Sequence, residues 1–196
     1  MEMLDRARRD YPRLAWRNDG IAEWAVGDES QYDLVFSNAA LHWVDGHAEL
    51  YPRLFARVSP CGALAVQVPV TKADVPARRI LRELANSAKW RGLFSSTGIR
   101  EAYVHRAEFY YDLLCRTAKG VDIWETTYVQ VMPDIEAVGK WFRTTAMRPI
   151  LDALPSEADQ ERFVAEYVEA LRVELKTRPD GRILFPFARL FLIARK

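Results

Sequence analysis

The chain has 196 residues, with 28 basic and 27 acidic side chains and a formal net charge of +1. This balance gives no basis for a nucleic-acid partner or for binding to an anionic membrane surface. The sequence contains no visible signal peptide or long apolar span, and its 49% hydrophobic and 28% charged residues are ordinary for a cytoplasmic globular protein.

The first seventy residues are predicted to mix helices with short strands. Helices are expected at Glu2–Asp10, ending before Tyr11-Pro12, and at Gly46–Val58. Strands are expected at Leu14–Trp16, Asp33–Ser37 and Ala63–Val68, with a turn at Ser59–Gly62. The apolar run at Asp33–Ser37 indicates a buried parallel strand whose carboxyl end lies at Asn38.

The remaining residues are predicted to be mainly helical, with strands near the end. The predicted helices are Ala77–Lys89, His105–Cys115, Ile135–Thr145 and a long helix capped by Ser156 that runs to about Lys176. The predicted strands are Val121–Val131 and, after a turn at Asp180-Gly181, Ile183–Leu184 with Arg189–Ala194.

Polar and aromatic side chains follow the strand that ends at Asn38. In open α/β sheets, ligands bind outside the carboxyl ends of the strands. Asn38, His42 and Trp43 are therefore candidate ligand contacts. The alternative is that Trp43 fills the core and His42 is a surface group with satisfied hydrogen bonds. His47 and His105 have no partners at metal-ligand spacing and are expected to be exposed.

Five stretches carry a family resemblance: YDLVFSNAALHWV (32–44), LYPRLFARVSPCGALAVQVP (50–69), YYDLL (110–114), VDIWETTY (121–128) and DGRILFPFARLFLIARK (180–196). In this order, they resemble class I S-adenosylmethionine-dependent methyltransferases, and in particular the trans-aconitate 2-methyltransferase family. The resemblance covers nearly the whole chain and is weakest from 71 to 108.

The resemblance implies an α/β fold: a partial Rossmann-like methyltransferase sheet lacking the first two strands, with a helical C-terminal substrate cover. Residues 1–196 are expected to form one methyltransferase-like domain, in which 1–70 are the remainder of the cofactor half and 71–196 the cover with the last strands. The family's glycine-rich loop and ribose-binding acid would precede Glu2–Asp10, so the chain is expected to be N-terminally truncated.

The cofactor implied by the resemblance is S-adenosyl-L-methionine, bound weakly or not at all by this chain. Asn38, Ala39 and His42 match positions that line it. Asp19, Gly20 and Ile21 stand where the family reads Gly-Asp-Ile, with the aspartate accepting a hydrogen bond from adenine. Here the first two residues are reversed, which turns the Asp19 side chain to the opposite face. A solvated loop aspartate is the alternative.

The implied substrate is a small carboxylic acid, whose candidate contacts are His42, Trp43, Tyr128, Arg148 and Arg189. A carboxylate acceptor is already ionised at pH 7, so no catalytic acid or base is assigned. Arg148 and Arg189 are interpreted as lone arginines in apolar surroundings that bind substrate carboxylates. A protein carboxylate is an equally possible partner for each. Glu125 stands where the family tends to have a histidine.

The two cysteines are expected to be reduced thiols without metal-ligand spacing, and no metal site is assigned. Cys61 stands where the family turn reads Pro-Gly-Gly. A cysteine at this position has to adopt a left-handed backbone, at a cost of about 1 kcal/mol, or the turn changes type.

Two functions stay open at this point. The first is an O-methyltransferase that forms the methyl ester of a small polycarboxylic acid such as trans-aconitate. The second is a catalytically inactive remnant that acts as an anion-binding or interaction module. The apolar strand Leu34–Phe36 is expected to form an edge, so the chain is either a monomer or an edge-paired dimer. Pairing of Leu14–Trp16 along that edge is the favoured arrangement.

Overall fold

The computed structural model describes residues 2–27, 30–70, 75–93 and 104–196. The described helices are α1 (Glu2–Asp10), α2 (Ile21–Gly27), α3 (His47–Ala56), α4 (Pro76–Ala85), α5 (Ala107–Leu114), α6 (Ile135–Thr144), α7 (Arg148–Asp152) and α8 (Glu157–Glu174), with short 3₁₀ turns at Leu41–Trp43 and Arg91–Leu93. Each predicted helix is confirmed within a few residues. The sequence did not reveal α2 and α7, which have only seven and five residues. None of the described helices is long and apolar enough to cross a membrane.

The described strands form one mixed sheet. They are β1 (Tyr32–Asn38), β2 (Val58–Pro69), β3 (Gly120–Met132) and β4 (Ile183–Arg195), in the order β1-β2-β4-β3. β1 runs parallel to β2, whereas β4 is antiparallel to both of its neighbours, β2 and β3. The predicted strands at 33–37 and 121–131 are confirmed, and the two predicted C-terminal pieces are one continuous strand.

Apolar side chains form two clusters because residues alternate between the faces of the sheet. One cluster joins α3 and α5 to one face through residues such as Leu54, Leu114 and Leu192. The other joins α4, α6, α7 and α8 to β4 through residues such as Phe163 and Phe185. The second set of helices therefore covers one face of β4 at its N-terminal end.

The start of β2 contains an irregularity where a separate turn was expected. Tyr32 pairs with Val58 but Leu34 pairs with Ala63, so the register shifts within Ser59–Gly62. Cys61 has a φ of 68°, which is the left-handed backbone, one of the two alternatives that the sequence left open. Gly62 is tightly packed, since a Cβ there would lie 2.7 Å from the Asp33 carbonyl oxygen.

Replacing Cys61 with glycine is expected to raise the free energy of unfolding by about 1 kcal/mol, because glycine carries no Cβ penalty at positive φ. Urea unfolding measures this as a higher midpoint with an unchanged slope. Cys61→Ala is the matched control, because it removes the thiol but keeps the Cβ. It is expected to leave the free energy of unfolding unchanged. Equal stability of the glycine and alanine variants would contradict the account.

The expected pairing of Leu14–Trp16 with β1 is wrong. This segment is not a strand; it turns back against the end of α1, where the Trp16 indole donates to the Tyr11 carbonyl at 3.1 Å. Among the described residues, β1 pairs only with β2, and Leu34 and Phe36 are 57% and 68% exposed. Within the described parts of the chain, β1 is therefore an open apolar edge.

We expect the 196-residue chain to self-associate as its concentration rises, because an open apolar edge strand pairs readily with another chain. Phe36→Lys should shift the assembly toward monomer in sedimentation velocity. Val173→Lys, at an 87% exposed position on α8, is the control and should leave association unchanged. Equal association of both variants and the native chain would exclude the β1 edge as the contact.

Candidate functional site

A cavity of about 630 Å³ opens beside the carboxyl ends of β1 and β2. Its walls come from the segment after β1, the end of β2, α4, α6, α7 and the first half of β4. Its lining residues are Ala39, His42, Trp43, Pro69, Val70, Val75, Arg78, Trp141, Phe142, Thr144, Thr145, Ala146, Arg148, Pro149, Asp152, Phe185, Pro186, Phe187, Ala188 and Arg189. The cavity thus combines aromatic walls with several cationic groups.

A sharp turn after β1 brings three predicted residues to this cavity. Ala39 has a φ of 52°, and its N–H donates to the Gln67 carbonyl at 2.9 Å. The 3₁₀ turn that follows presents His42 and Trp43, whose ring centroids lie 4.8 Å apart. His42 and Trp43 therefore lie at the cavity, as the strand-end argument predicts, and Ala39 lies beside them, whereas Asn38 lines a separate recess.

His47 stabilises this 3₁₀ turn through a hydrogen bond to the turn's backbone. The expectation that His47 is exposed is wrong, because it is only 3% exposed. Its Nε2 donates to the Leu41 carbonyl at 2.9 Å, so its Nδ1 accepts from the Tyr110 hydroxyl at 2.8 Å. The sequence carries no spacing signal for these contacts, which link α3 and α5 to the turn. His105 is half-buried and stacks on Phe109.

His42 is buried and electrically neutral at pH 7. Burial, the nearby Arg78 charge and His47 together lower its pKa from 6.5 to about 4. Its Nδ1 is buried and has no hydrogen-bond partner among the described residues. A buried imidazole nitrogen without a partner is costly, and a bound ligand could supply the missing contact.

This low pKa makes stability depend on pH. Because the folded-state pKa of about 4 lies below the ordinary 6.5, the unfolded chain binds the proton more tightly. The contribution of neutral His42 to the free energy of unfolding is therefore complete above pH 6.5 and is lost as pH falls toward 4. The loss amounts to up to about 3 kcal/mol. His42→Gln should flatten the pH dependence of the unfolding free energy in this window. An identical pH slope in both proteins would contradict burial of a neutral His42.

Arg189 lies on β4, where its guanidinium contacts two aromatic rings and donates a hydrogen bond to a side-chain amide. Its Nη1 donates to Gln67 Oε1 at 2.8 Å, and its guanidinium carbon lies 4.8 Å from the Phe187 ring centroid and 5.8 Å from that of Tyr128. In the described parts of the chain, Arg189 makes no ion pair with an acidic side chain. Gln67 is only 5% exposed, and its Nε2 has no partner there. This half-buried cation is suited to an external anion.

Arg148 was interpreted as a lone arginine in apolar surroundings, but the structure places it on the surface in an ion pair. Its side chain is 70% exposed, and its Nε donates to both carboxylate oxygens of Asp152, at 2.9 and 3.1 Å. The interpretation is wrong because these residues lie one turn apart on α7 and meet on its exposed side. Tyr128 is 43% exposed and supports Arg189 without lining the cavity.

The other predicted cofactor residues lie apart from the cavity. Asn38 and Ile21 line a recess of about 400 Å³ along β1, and Asp19 and Gly20 line a smaller one of about 320 Å³ next to it. Asp19 Oδ2 accepts a hydrogen bond from Arg17 Nε at 2.6 Å. In the segments that the structure describes, no group of three or more His, Cys, Asp or Glu could hold a metal ion.

Sequence reasoning missed three contributors to the site. Arg78 reaches the cavity from α4, and Phe142 and Trp141 reach it from α6. Their roles depend on how α4 and α6 pack on the sheet, and no local motif marks them. The sequence predicted a helix at Ile135–Thr145 but not what one face of that helix would line.

The chain matches no family model. It is 38% identical over 194 residues to the trans-aconitate 2-methyltransferase of Acidovorax sp. (strain JS42), covering 99% of this chain and 74% of that protein. The enzymes of the same name from Azoarcus sp. (strain BH72) and Yersinia pestis (strain Pestoides F) are 38% and 37% identical, over 98% of this chain and 74% and 73% of theirs.

Two solved structures share the fold. A candidate methyltransferase from Bacillus halodurans superposes with a TM-score of 0.54 at 11% identity, over 100% of this chain and 79% of its own. The YcgJ protein of Bacillus subtilis gives a TM-score of 0.54 at 11% identity, over 100% of this chain and 78% of its own. The mixed α/β sheet and its covering helices therefore match a fold that methyltransferases use.

Proposed function

The chain belongs to the trans-aconitate 2-methyltransferase family, and we propose on this premise that it serves S-adenosylmethionine-dependent methyl transfer to a carboxylate of a small polycarboxylic acid such as trans-aconitate. The acceptor would bind in the large cavity beside the ends of β1 and β2. The methyl donor would bind in the recess along β1.

One observation carries the proposal: a single short segment at the end of β1 separates the recess along β1 from the large cavity. Asn38, Ala40 and Leu41 line the recess, whereas Ala39, His42 and Trp43 line the cavity. Methyl transfer needs donor and acceptor held in contact and in line, because most of its catalysis comes from positioning. Two ligand sites that share one wall fit this requirement.

The cavity offers what a carboxylate acceptor needs. Arg189 presents a guanidinium without an acidic partner among the described residues, and guanidinium binds carboxylate in a bidentate manner. His42 adds a buried nitrogen without a partner among the described residues. Arg148 lies at the rim with its charge shared by Asp152. Arg189 is therefore the principal carboxylate contact in the proposal.

The recess fits part of the donor. Ile21, Trp24 and Leu41 give it apolar walls suited to an adenine ring, and Asn38 supplies a polar group at the strand end. Its described lining residues include no acidic side chain for the ribose hydroxyls. Asn38, Ile21 and Leu41 would thus hold the cofactor, with fewer polar contacts than an acidic ribose site provides.

The chemistry asks little of the side chains beyond placement. S-adenosylmethionine, when bound, supplies an electrophilic methyl group. A carboxylate oxygen accepts it directly and forms the ester, so no proton has to be removed at pH 7. Arg189 would orient the acceptor, and the rings of Trp43, Phe142 and Phe187 would exclude water from the cavity.

One observation favours the alternative of an inactive anion-binding module. The Asp19 carboxylate is engaged by Arg17 and lies outside the recess that contains Asn38. An adenine contact from this side chain would require it to leave its ion pair. The two functions differ in one respect only, which is whether the chain transfers a methyl group.

The test is methyl transfer from labelled S-adenosylmethionine at millimolar concentration to trans-aconitate, with the methyl ester identified by mass spectrometry. We expect ester formation that depends on Arg189. Binding of trans-aconitate without any ester would favour the anion-binding module. Ester formed at the same rate by Arg189→Gln would contradict the assignment of the cavity.

A further inference from the structure

Neighbouring residues of the 3₁₀ turn face different ligand sites. Leu41 lines the recess along β1, and His42 lines the cavity. The turn has three residues and is closed by two backbone hydrogen bonds, from Trp43 to Ala40 and from Val44 to Leu41, both at 3.0 Å. So short a turn does not fix its own position, because it orders several residues for few hydrogen bonds. Contacts from other elements must hold it.

His47 supplies such a contact from α3. It is the first residue of that helix and is 3% exposed. Its Nε2 donates to the Leu41 carbonyl oxygen at 2.9 Å, and the same oxygen accepts from the Val44 N–H. A carbonyl oxygen has two lone pairs, so it can accept both hydrogen bonds. His47 therefore attaches the turn to the N-terminal end of α3.

Tyr110 on α5 fixes the ring of His47 in turn. Tyr110 is fully buried, and its ring centroid lies 4.6 Å from that of Tyr51 on α3. Its hydroxyl donates to His47 Nδ1 at 2.8 Å and accepts from the His105 backbone N–H at 3.1 Å. A donor at Nδ1 favours the imidazole tautomer that carries its proton on Nε2. This is the tautomer that can donate to Leu41.

These hydrogen bonds form a chain from α5 through α3 to the wall between the two ligand sites. A shift of His47 would move Leu41 at the recess and His42 at the cavity together, because both belong to one turn. Methyl transfer depends on the alignment of donor and acceptor, and a misplacement of about 1 Å can lower the rate by about 100-fold. Arg189 is held separately, by an amide on β2 and an aromatic ring on β4.

We propose that His47 and Tyr110 are positioning residues for methyl transfer, which fix the wall between the recess and the cavity and so align the donor with the acceptor. The inference rests on the proposed function. It gives control of the reaction rate to two buried residues that are not among the described lining residues of either ligand site. Because Arg189 is held by other contacts, acceptor binding depends little on them.

Steady-state kinetics with S-adenosylmethionine and trans-aconitate test the inference on the 196-residue chain. Tyr110→Phe removes the hydroxyl and keeps the ring. It should lower kcat by about 10- to 100-fold and change the KM for trans-aconitate by less than about threefold. Tyr111→Phe is the matched control, since it removes the same atom from the next residue of α5, which is 50% exposed. It should keep the native kcat and KM.

Two variants of His47 test the same contact from its other partner. His47→Gln retains an N–H donor and an acceptor on a side chain of similar reach, whereas His47→Leu retains neither. His47→Gln should therefore recover part of the kcat that His47→Leu loses. Urea unfolding shows that each variant is folded under the conditions of the assay.

Nitrogen-15 NMR of the histidine rings needs no turnover. In the native chain, His47 should give the signals of an imidazole protonated on Nε2 with a hydrogen bond to Nδ1. In Tyr110→Phe, the Nδ1 signal should move toward that of a nitrogen without a donor. The ring signals of His42 should move as well, because its turn loses its fixed position. In Tyr111→Phe, both sets of signals should stay at their native positions.

The results separate the inference from the proposed function. If the native chain forms the ester and Tyr110→Phe forms it with the native kcat, the inference is overturned while the proposed function stands. A rise in KM as large as the fall in kcat would also overturn it, since that result indicates lost acceptor binding. If the native chain forms no ester, the proposed function fails and the positioning role in methyl transfer fails with it.

Discussion

Replacing Arg189 with glutamine is expected to weaken binding of trans-aconitate by about 10- to 100-fold, the loss of one charge-assisted contact of about 1.5–3 kcal/mol. The native guanidinium is held by the Gln67 amide and lies over Phe187 and Tyr128, so it is placed before the ligand arrives. Preorganised groups lose little freedom on binding, which is why the effect should be large. Calorimetry or the KM for trans-aconitate measures it.

Arg195→Gln is the control for this prediction. Arg195 lies at the other end of β4, pairs with Asp122 on the surface and does not line the cavity. Its replacement should leave the affinity unchanged. Arg148→Ala is expected to have a smaller effect than Arg189→Gln, because Asp152 already shares its charge and its side chain is exposed. An Arg189→Gln protein with native affinity would exclude Arg189 as the substrate contact.

Binding of S-adenosylhomocysteine to these 196 residues is expected to be weak. The expected Kd is on the order of 1 mM, and in any case above about 10 µM. Two features account for it. The sequence contains no Gly-X-Gly spacing that would let backbone approach the cofactor, and the recess has no acidic side chain among its described lining residues. Two lost charge-assisted hydrogen bonds weaken binding about a thousandfold.

Calorimetry tests this, with Asp19→Asn as a matched variant. Because Asp19 is paired with Arg17, its replacement should not change the affinity further. A Kd below about 10 µM for the native chain would mean that other residues replace the missing contacts. A marked loss in Asp19→Asn would mean that Asp19 leaves its ion pair to bind the cofactor.

Elements with strong local signals were predicted well from the sequence. The apolar run before Asn38 gave β1, and Ser156 gave the start of α8, where its hydroxyl accepts from the Asp159 N–H at 3.1 Å. Cys61 after a proline has a positive φ, which was one of the two alternatives for this turn. In these cases, the determining interactions lie within a few residues, so the sequence contains them directly.

Elements that depend on distant contacts were predicted poorly. Leu14–Trp16 has apolar residues suited to a strand, but the Trp16 indole finds a hydrogen bond at the end of α1 and the segment does not reach β1. α7 is a single short turn of helix stabilised by packing of Ile150 and Leu151. Propensity alone cannot specify so short a helix.

The candidate site shows the same division. His42 and Trp43 could be placed because a strand end locates them, and Arg189 because its strand is strongly apolar. Arg78 could not, since its position in the cavity depends on α4 packing beside α6 and the 3₁₀ turn. The ion pair that occupies Arg148 was one of two open alternatives, and only the arrangement of α7 decides it.

A crystal structure of the chain with trans-aconitate bound tests the location of the acceptor site most directly. We expect the ligand in the cavity, with one carboxylate on the Arg189 guanidinium and another directed toward the segment that carries Ala39 and His42. A ligand bound outside the cavity, or a cavity without ligand at a concentration that saturates binding in solution, would contradict the assignment.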